Sequence, residues 1–455
     1  MKPFLHAVTR IGQELLDAEE DNPPSPRVPP ETLRDRLDLP LGEEGIGEEA
    51  ALDALREVVL SSPRTSDPRF VNQLFAGRVP VATAAEMLTA LMNHSMYTYK
   101  AAGPQVLLEG EVVRTMCEKA GFPDGDGTLV PGGSISNLVG MLLGRNRAMP
   151  GIRESGGDGR AQRFYVSADG HYSVPKNAGM IGAGRDNVVR IPCDELGRMR
   201  PEALDEAIAA DRAAGRVPCA VVATSGTTVL GAFDPLREIA AVCRRHDVWL
   251  HVDGAFGGSM LLHPPSRHLF DGIEEADSLT WDAHKAMGVP VTCSLILTRE
   301  PGLLGELLSE DADYLFQADT QDLNPGTKSP QCGRRNDALK LWATWKAFGD
   351  AGWAARMDRQ FALARHAVER IEREPRLHLT QPPASLTICF EVEDMGAPEV
   401  CARLHEEGTA LLGYGVVRGR KVVRLVTVNP DTRRADLDRL FDDILALAAA
   451  PAGRA

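Results

Sequence analysis

Short apolar runs alternate with helical segments through the middle of the chain, and this alternation limits the possible folds more than any other feature. Amphipathic segments such as "RPEALDEAIAADRAAG" and "DPLREIAAVCRRHD" separate several of the runs. Strands that are apolar along their whole length are typical of parallel sheets with helices on both faces. We therefore predict an α/β fold with a mainly parallel sheet. Its strands are expected at residues 163–167, 187–191, 219–225, 248–253, 277–281 and 293–297.

The segments before and after this region predict two further parts, an N-terminal arm and a C-terminal domain. Residues 1–64 hold two short helical patterns separated by the proline-rich "NPPSPRVPP", and we expect this arm to pack on a partner subunit. Residues 65–340 would form a large domain, in which the polar stretch 314–331 is a predicted active-site lid. A long helical pattern followed by mixed strand and helix patterns predicts a smaller α+β domain over residues 341–455.

The composition excludes several classes of function. The formal net charge of −14 argues against nucleic-acid binding, because such binding requires basic surface that neutralises phosphates. No stretch approaches the roughly 18 consecutive apolar residues of a membrane span. The eight cysteines are scattered without a C-x-x-C pair, which predicts reduced thiols and neither a disulfide framework nor a metal site. We therefore expect a cytoplasmic protein without membrane or nucleic-acid partners.

Three sequence features fall at or near the carboxyl ends of strands, where ligands bind in sheets of this kind. "WLHVDGAFGGSM" ends a strand in Asp253, and "SLTWDAHK" ends the next in a turn with Lys285. "LVPGGSISNLVGMLLGRNR" is a Gly/Ser turn that leads into a helix, and such a turn offers N–H groups to a phosphate. Each feature alone is weak, because a Gly/Ser turn usually only caps a helix and a carboxylate at a strand end usually forms a turn.

Together these features predict a site for pyridoxal 5′-phosphate. This cofactor needs a lysine amine for its aldehyde, a carboxylate that keeps its ring nitrogen protonated, and hydrogen-bond donors for its phosphate. A contact to the face of the ring is also expected. "SADGHYSVPKNAGMIG" supplies His171 in a turn before a helix, where either this contact or a simple helix-start position explains the histidine.

Several sequence blocks occur in the order found in one enzyme family, among them "PGGSISN", "DGHYSVPKNA", "WLHVDGAFGGS", "ADSLTWDAHK" and "QCGRRNDALKLWATWKAFGD". Over about residues 65–440 the chain resembles the group II pyridoxal-phosphate-dependent amino-acid decarboxylases. It is most similar to the branch of glutamate decarboxylase and cysteine sulfinate decarboxylase. The resemblance implies PLP fold type I, the aspartate-aminotransferase-like architecture, with a mainly parallel seven-stranded sheet and a smaller C-terminal α+β domain. It also implies a homodimer with active sites at the subunit interface.

The resemblance also implies roles for individual residues around the cofactor. Lys285 would form the covalent imine, and Asp253 would pair with the ring nitrogen. His171 would stack on the ring and assist proton transfer, which makes it a catalytic residue together with Lys285. The other cofactor contacts implied are Ala255 against the ring, His284 beside the lysine, and Ser134, Ile135, Ser136 and Thr228 around the phosphate.

Substrate contacts are implied at two places. In this branch of the family the "NQL" block contacts the substrate, so Gln73, Leu74 and Phe75 inherit that role. Arg424 in "VVRLV" matches the arginine that binds a substrate carboxylate. A guanidinium suits this task because its planar fork binds two oxygens at once and does not lose its proton.

The lysine motif departs from the family pattern. The close relatives usually have Asn-Pro-His-Lys, whereas this chain has "DAHK" with Asp282 in the place of the asparagine. That asparagine donates a hydrogen bond near the phosphate, whereas an ionised aspartate has no proton to donate and repels the phosphate dianion. We therefore expect Asp282 to be turned away or protonated, or another donor such as the hydroxyl of Thr280 or Thr228 to replace it.

The lid departs as well. It is shorter than in those relatives and contains no tyrosine after Tyr314, although in the family a lid tyrosine protonates the α-carbon after carbon dioxide leaves. The carbanion would then live longer and become available to oxygen. His171 or a water molecule remains an alternative proton donor.

The sequence therefore predicts an α-decarboxylase that acts on a small, possibly acidic L-amino acid such as glutamate, aspartate or cysteine sulfinate. An alternative is decarboxylation linked to oxidative deamination, or to another reaction of the carbanion, in specialised metabolism. A minor alternative is a catalytically silent regulatory subunit, which the presence of Lys285, Asp253 and His171 disfavours.

Overall fold

A seven-stranded sheet lies at the centre of the larger part of the protein, in a computed structural model that describes residues 1–25, 27–310 and 323–449. Its strands are β1 (Asp126–Val130), β2 (Gln162–Ser167), β3 (Val188–Ile191), β4 (Val217–Thr224), β5 (Trp249–Asp253), β6 (Ser278–Asp282) and β7 (Ser294–Thr298). Their order across the sheet is β1-β7-β6-β5-β4-β2-β3. Strand β7 is antiparallel to both of its neighbours, and the other paired strands are parallel. The predicted α/β fold with a mainly parallel seven-stranded sheet is confirmed.

All six predicted strands are present, with ends that differ by at most two residues. Sequence reasoning missed the edge strand β1, because its five residues, "DGTLV", form no continuous apolar run. Gly127 is required there, since a Cβ atom at this position would lie 2.7 Å from the side chain of Leu297 and 2.8 Å from the carbonyl oxygen of Ile296.

Helices cover the sheet and also form the chain on either side of it. They are α1 (Lys2–Asp21), α2 (Pro30–Arg36), α3 (Glu48–Leu60), α4 (Pro80–Met92), α5 (Tyr99–Ala102), α6 (Pro104–Ala120), α7 (Gly133–Ala148), α8 (Ile152–Ser155), α9 (Ser173–Met180), α10 (Pro201–Ala213), α11 (Leu236–Arg245), α12 (Leu303–Leu308), α13 (Ala338–Glu372), α14 (Ala397–Glu407) and α15 (Arg434–Ala449). Short 3₁₀ turns lie at Arg185–Asn187, Gly257–Leu262, Pro264–Phe270, Ile273–Glu275 and Pro325–Lys328. The long predicted helix corresponds to α13, which is interrupted at Gly349.

Helix α7 contacts the central strands β4, β5, β6 and β7. Two glycines make this close approach possible. A Cβ atom at Gly144 would lie 2.7 Å from the carbonyl oxygen of Cys219, and one at Gly140 would lie 2.3 Å from the ring of His251. The contact matters for function because the first turn of α7 lies at the carboxyl edge of the sheet.

The chain divides into two compact units. The larger consists of residues 78–364 and 381–388, and the smaller consists of residues 1–77, 365–380 and 389–455. A second, four-stranded sheet has the order β10-β11-β9-β8, formed by β8 (Leu377–Leu379), β9 (Thr387–Val392), β10 (Gly413–Val417) and β11 (Arg420–Val426). The predicted division at residues 64 and 340 stays a prediction.

The described residues of the N-terminal segment contain three helices where the sequence indicated two helical patterns, because a short helix, α2, begins at the last residue of the proline-rich break. Helices α1 and α3 contact each other, and the side chains of Arg56 and Glu14 form an ion pair between them. Within the smaller unit, the Arg64 guanidinium donates to the carbonyl oxygen of Pro23 at 2.8 Å. Packing of this arm on a partner subunit stays a prediction.

None of the helices in the described ranges is long and apolar enough to cross a membrane.

Two glycine substitutions test the packing of α7 on the sheet. Gly144→Ala places a methyl group against the backbone of β4, so we expect it to lower the free energy of unfolding by about 1–3 kcal/mol. Gly110→Ala is the matched control, because Gly110 lies within α6 with open space around it. We expect this control to raise stability by up to about 1 kcal/mol. Denaturant unfolding measures both, and equal effects would contradict the close contact.

Candidate active site

Lys285 lies in the turn directly after strand β6. Its backbone N–H donates to the carbonyl oxygen of Asp282, the last residue of the strand, at 3.2 Å. Its amine lies 3.3 Å from the Asp282 carboxylate, and the lysine side chain is 22% exposed. The turn therefore presents an accessible amine with an ionic partner at the carboxyl edge of the sheet.

Asp253 ends the neighbouring strand β5, and its side chain is buried. One carboxylate oxygen accepts a hydrogen bond from the side-chain amide of Asn137 at 2.8 Å. The other accepts from the backbone N–H of Ala255 at 3.2 Å. Two donors, one from α7 and one from the turn after β5, thus fix the carboxylate at the edge of the sheet.

The Gly/Ser turn leads into α7, whose N-cap residue Gly132 has a φ of +102°. Ser134 and Ile135 lie in the first turn, where helix N–H groups and the helix dipole favour an anion. The side-chain amide of Asn177 donates to the carbonyl oxygen of Ser134 at 2.9 Å and anchors this turn. The Ser136 hydroxyl is fully buried and donates to the carbonyl oxygen of Leu295 at 2.9 Å, so this hydroxyl is engaged inside the protein.

His171 lies between β2 and α9. Its Nδ1 accepts a hydrogen bond from the backbone N–H of Ser173 at 3.2 Å, so in the neutral ring Nε2 carries the proton. Burial lowers the pKa of His171, although the negative charge of Asp253 acts in the opposite direction. The ring also contacts the ring of Tyr172, with 4.2 Å between centroids. The neutral His171 ring thus presents Nε2–H as a hydrogen-bond donor.

The remaining predicted cofactor residues lie at the same edge of the sheet. His284 accepts a hydrogen bond from the backbone N–H of Cys293 at 3.2 Å, and burial lowers the His284 pKa. The carbonyl oxygen of Ala255 accepts from the backbone N–H of Asp282 at 3.3 Å, which ties the ends of β5 and β6 together. Thr228 lies in the turn that follows β4.

Asp282 is the unusual member of this group. It is 1% exposed, one of its carboxylate oxygens has no hydrogen-bond partner, and the other faces the Lys285 amine. A Cβ atom at Gly133 would lie 2.6 Å from this carboxylate, so Asp282 lies directly against the start of α7. The hydroxyl of Thr280, which was predicted as a replacement donor, instead contacts Ser136 and Asn137 at 2.8 Å each.

Sequence reasoning missed the residues that support Asp253, chiefly Asn137 and His251. His251 is completely buried, and its Nε2 lies 3.1 Å from the side-chain oxygen of Asn137. The available signal was the period of two in "WLHVD" and "SLTWD", which places Trp249, His251 and Asp253 on one face of β5. Polar side chains at alternate positions of buried strands indicate an internal hydrogen-bond network.

The predicted substrate residues belong to the smaller unit. The Arg424 guanidinium lies in β11 and donates to the carbonyl oxygen of Asn72, the residue directly before Gln73. Burial lowers the pKa of Arg424. Gln73 is exposed, whereas Leu74 and Phe75 are half-buried. The structure thus brings the four predicted substrate residues together within one unit.

Part of the predicted lid, including Tyr314, falls on residues 311–322 and lies outside the described residues. Among the residues that are described, no group of acidic, histidine or cysteine side chains could hold a metal ion.

The donor set fits pyridoxal 5′-phosphate. The amine of Lys285, the buried carboxylate of Asp253 and the first turn of α7 occupy the carboxyl ends of β6 and β5 and the adjoining helix start. An amine, a carboxylate partner for the ring nitrogen and an anion site are the three groups that the cofactor requires.

Comparison with known proteins gives matches over most of the chain. The model of the pyridoxal-dependent decarboxylase conserved domain matches residues 30–393. The acidic amino acid decarboxylase GADL1 of Mus musculus is 40% identical over 442 residues, which are 92% of this chain and 80% of that protein. The cysteine sulfinic acid decarboxylase of Mus musculus is 41% identical over 438 residues, which are 91% of this chain and 89% of that protein.

Solved structures agree with this match. The crystal structure of mouse CSAD is 38% identical in sequence, with a TM-score of 0.91 over 97% of this chain and 99% of that one. The crystal structure of Oryza sativa TDC with PLP and tryptamine has the same TM-score of 0.91 at 24% identity, over 98% of this chain and 97% of that one. At 24% identity the likeness concerns the fold alone.

The contact between Asp282 and the start of α7 gives a testable prediction. Asp282→Asn removes a negative charge beside the expected phosphate position and supplies an amide donor. We expect the Kd for pyridoxal 5′-phosphate to fall by roughly tenfold, because a hydrogen bond to a charged group replaces a like-charge contact. Absorbance titration of the cofactor-free protein measures this Kd. Asp350→Asn, at an exposed ion pair with Lys119, is the control, and an unchanged or higher Kd in Asp282→Asn would refute the prediction.

Proposed function

Because the chain belongs to the pyridoxal-dependent decarboxylase family, we propose that it removes the α-carboxyl group of a small acidic L-amino acid and releases the amine and carbon dioxide. The family makes it a pyridoxal-phosphate-dependent amino-acid decarboxylase, so the substrate class and the residue roles are the proposal. The observation that carries the substrate class is the identity of 40% and 41% to decarboxylases named for acidic amino acids and for cysteine sulfinic acid. The substrate would be of the aspartate, glutamate or cysteine sulfinate type.

We propose that the edge of the central sheet holds the cofactor. Lys285 would bind the cofactor aldehyde, Asp253 would keep the proton on the ring nitrogen, and Ala255 would contact the ring. When bound, the cofactor supplies a protonated ring that accepts the electron pair left as the bond to the carboxyl group breaks. The phosphate would lie at the first turn of α7, with Ser134, Ile135 and Thr228 as its proposed contacts and His284 beside the lysine. Ser136 was predicted as a further contact, but its hydroxyl donates to the carbonyl oxygen of Leu295, so it would support this turn from inside the protein.

The proposed roles of the other site residues concern the substrate and its protons. His171 would deliver a proton from Nε2 to the α-carbon and take up a replacement proton from solvent, since its Nδ1 is occupied by the Ser173 N–H. The Arg424 guanidinium would bind a substrate carboxylate, because its fork engages two oxygens. Gln73, Leu74 and Phe75 would contact the substrate as well.

We propose a homodimer with active sites at the subunit interface. Helix α4 supports this, since it exposes apolar side chains along one stretch at Met87, Leu88, Leu91 and Met92. Contiguous exposed apolar groups of this kind mark interaction surfaces. A cytoplasmic location is proposed from the cysteines, all of which are free thiols.

The substrate class is tested with purified, cofactor-loaded protein. L-aspartate, L-glutamate and L-cysteine sulfinate are compared with L-alanine and L-tyrosine, and carbon dioxide, amine and hydrogen peroxide are measured together. We expect stoichiometric amine and carbon dioxide from an acidic substrate, no turnover of tyrosine, and no product with Lys285→Ala. Preferred turnover of an uncharged amino acid would overturn the acidic substrate class.

One sequence observation favours a second function. Residues 315–331 contain no tyrosine, so the lid would lack the proton donor usual in the family. The alternative reaction consumes oxygen and water and yields aldehyde, carbon dioxide, ammonia and hydrogen peroxide. In the same assay, peroxide in amounts equal to carbon dioxide would establish this reaction in place of simple decarboxylation.

The dimer is tested by placing a charge on the apolar stretch of α4. We expect Leu88→Glu to raise the dimer dissociation constant by at least tenfold, because a buried unpaired charge is unfavourable at an interface. Ala210→Glu, on the exposed face of α10, is the control. Sedimentation velocity measures both variants. A monomeric wild-type protein, or a dimer unchanged by Leu88→Glu, would exclude this interface.

A further inference from the structure

A chain of buried polar side chains on β5, β6 and α7 ends at the Asp253 carboxylate. Each side chain is within hydrogen-bond distance of the next, and every member is 5% exposed or less. Its members are Trp249, Ser278, His251, Asn137 and Asp253. The parallel pairing of β5 with β6 sets His251 opposite Ser278, which makes the chain possible. Of these five side chains, only Asp253 has a role in the proposed function.

The direction of the first hydrogen bonds follows from a group that can only donate. The indole N–H of Trp249 is only a donor, and it donates to the Ser278 hydroxyl at 3.0 Å. The Ser278 hydroxyl proton is then available for Nδ1 of His251, 2.8 Å away. His251 is neutral, since complete burial lowers its pKa to about 4. With Nδ1 as the acceptor, Nε2 of His251 carries the proton.

The same reasoning fixes the amide of Asn137. The His251 Nε2–H lies 3.1 Å from the Asn137 side-chain oxygen, and the Thr280 hydroxyl lies 2.8 Å from the same oxygen. The Asp253 carboxylate on the other side of the amide can only accept hydrogen bonds, so the side-chain oxygen faces His251 and the amide nitrogen faces the carboxylate. It donates to the Asp253 carboxylate at 2.8 Å and to the Ser173 hydroxyl at 3.0 Å. Every hydrogen bond in the chain therefore points toward Asp253.

From this arrangement we propose that His251 and Asn137 are positioning residues that hold the Asp253 carboxylate toward the cofactor ring nitrogen and stabilise its negative charge. The proposal rests on the proposed role of Asp253. Its physical basis is that all members before the carboxylate are uncharged. Neutral donors stabilise an anion through aligned dipoles and add no positive charge that would compete with the ring for it. The proton on the ring nitrogen then remains the only positive partner that the carboxylate requires.

The local packing is consistent with a dedicated place for His251. Helix α7 has a glycine at position 140, where a Cβ atom would lie 2.3 Å from Nδ1 of the imidazole. The imidazole thus fills the space that a side chain on α7 would otherwise occupy.

The experiment uses holoenzyme loaded with cofactor that carries ¹⁵N in its ring. Three proteins are compared with wild type: His251→Phe, which removes both ring nitrogens, His251→Gln, which keeps a side-chain donor, and His263→Phe. His263 is a matched control because it is also a buried histidine with two hydrogen-bond partners, Ser266 and Asp358. The readouts are the ¹⁵N chemical shift of the ring nitrogen, kcat, and the Kd of the cofactor.

We expect His251→Phe to move the ring-nitrogen resonance toward that of an unprotonated pyridine and to lower kcat by roughly tenfold. The reason is that the buried side-chain oxygen of Asn137 loses the His251 N–H that donates to it. The Kd should change less than kcat. His251→Gln should recover most of both losses, and the control should retain the wild-type shift. An unchanged shift in His251→Phe, or an equal change in the control, would overturn the inference.

Two further outcomes keep this inference separate from the proposed function. A wild-type ring nitrogen that is already unprotonated would refute the role of Asp253 itself, and the inference with it. If His251→Phe does not fold, Trp249→Phe takes its place, because it removes a single N–H from the far end of the chain. We then expect a smaller shift in the same direction, and no shift at all would overturn the inference.

Discussion

The buried carboxylate of Asp253 is the constraint on which the rest of the site depends. An anion taken out of water must be compensated by its surroundings, or it becomes neutral. Here the compensation comes from the Asn137 amide on α7 and from the Ala255 N–H beyond the strand. The Asn137 donor requires that α7 lie close to β5, which the glycines of the helix permit. Fold and chemistry are therefore linked through one helix-to-sheet contact.

A second carboxylate, that of Asp282 at the end of β6, lies at the same edge of the sheet. Asp282 and Lys285 form an ion pair across one turn, and the start of α7 lies against the carboxylate. A helix N-terminus favours a negative group, so the Asp282 carboxylate is stabilised at this position in the cofactor-free protein. A phosphate at the same helix start would compete with it. In the proposed site, Asp253 would therefore support the cofactor, whereas Asp282 would oppose its phosphate.

Much of the fold could be predicted from the sequence, because strands that are buried on both faces can be recognised as apolar runs. Lys285 and Asp253 could be placed for the same reason, since each follows such a run. Strand β1 was missed because Gly127 interrupts its apolar pattern, and the support of Asp253 was missed because it depends on pairing between distant segments. His251 meets Ser278 only through the register of β5 and β6, and meets Asn137 only through the packing of α7. Such pairings are not encoded in any single stretch of sequence.

The missing side chain at position 140 has a consequence for how this sequence can change over time. The imidazole of His251 occupies the volume beside Gly140, so the two positions share one space. A methyl group gained on the helix would be tolerated only after the strand residue had become smaller, and that smaller residue would already have altered the surroundings of the carboxylate. Substitutions at positions 140 and 251 are therefore expected to occur together. The change at position 251 would have to come first.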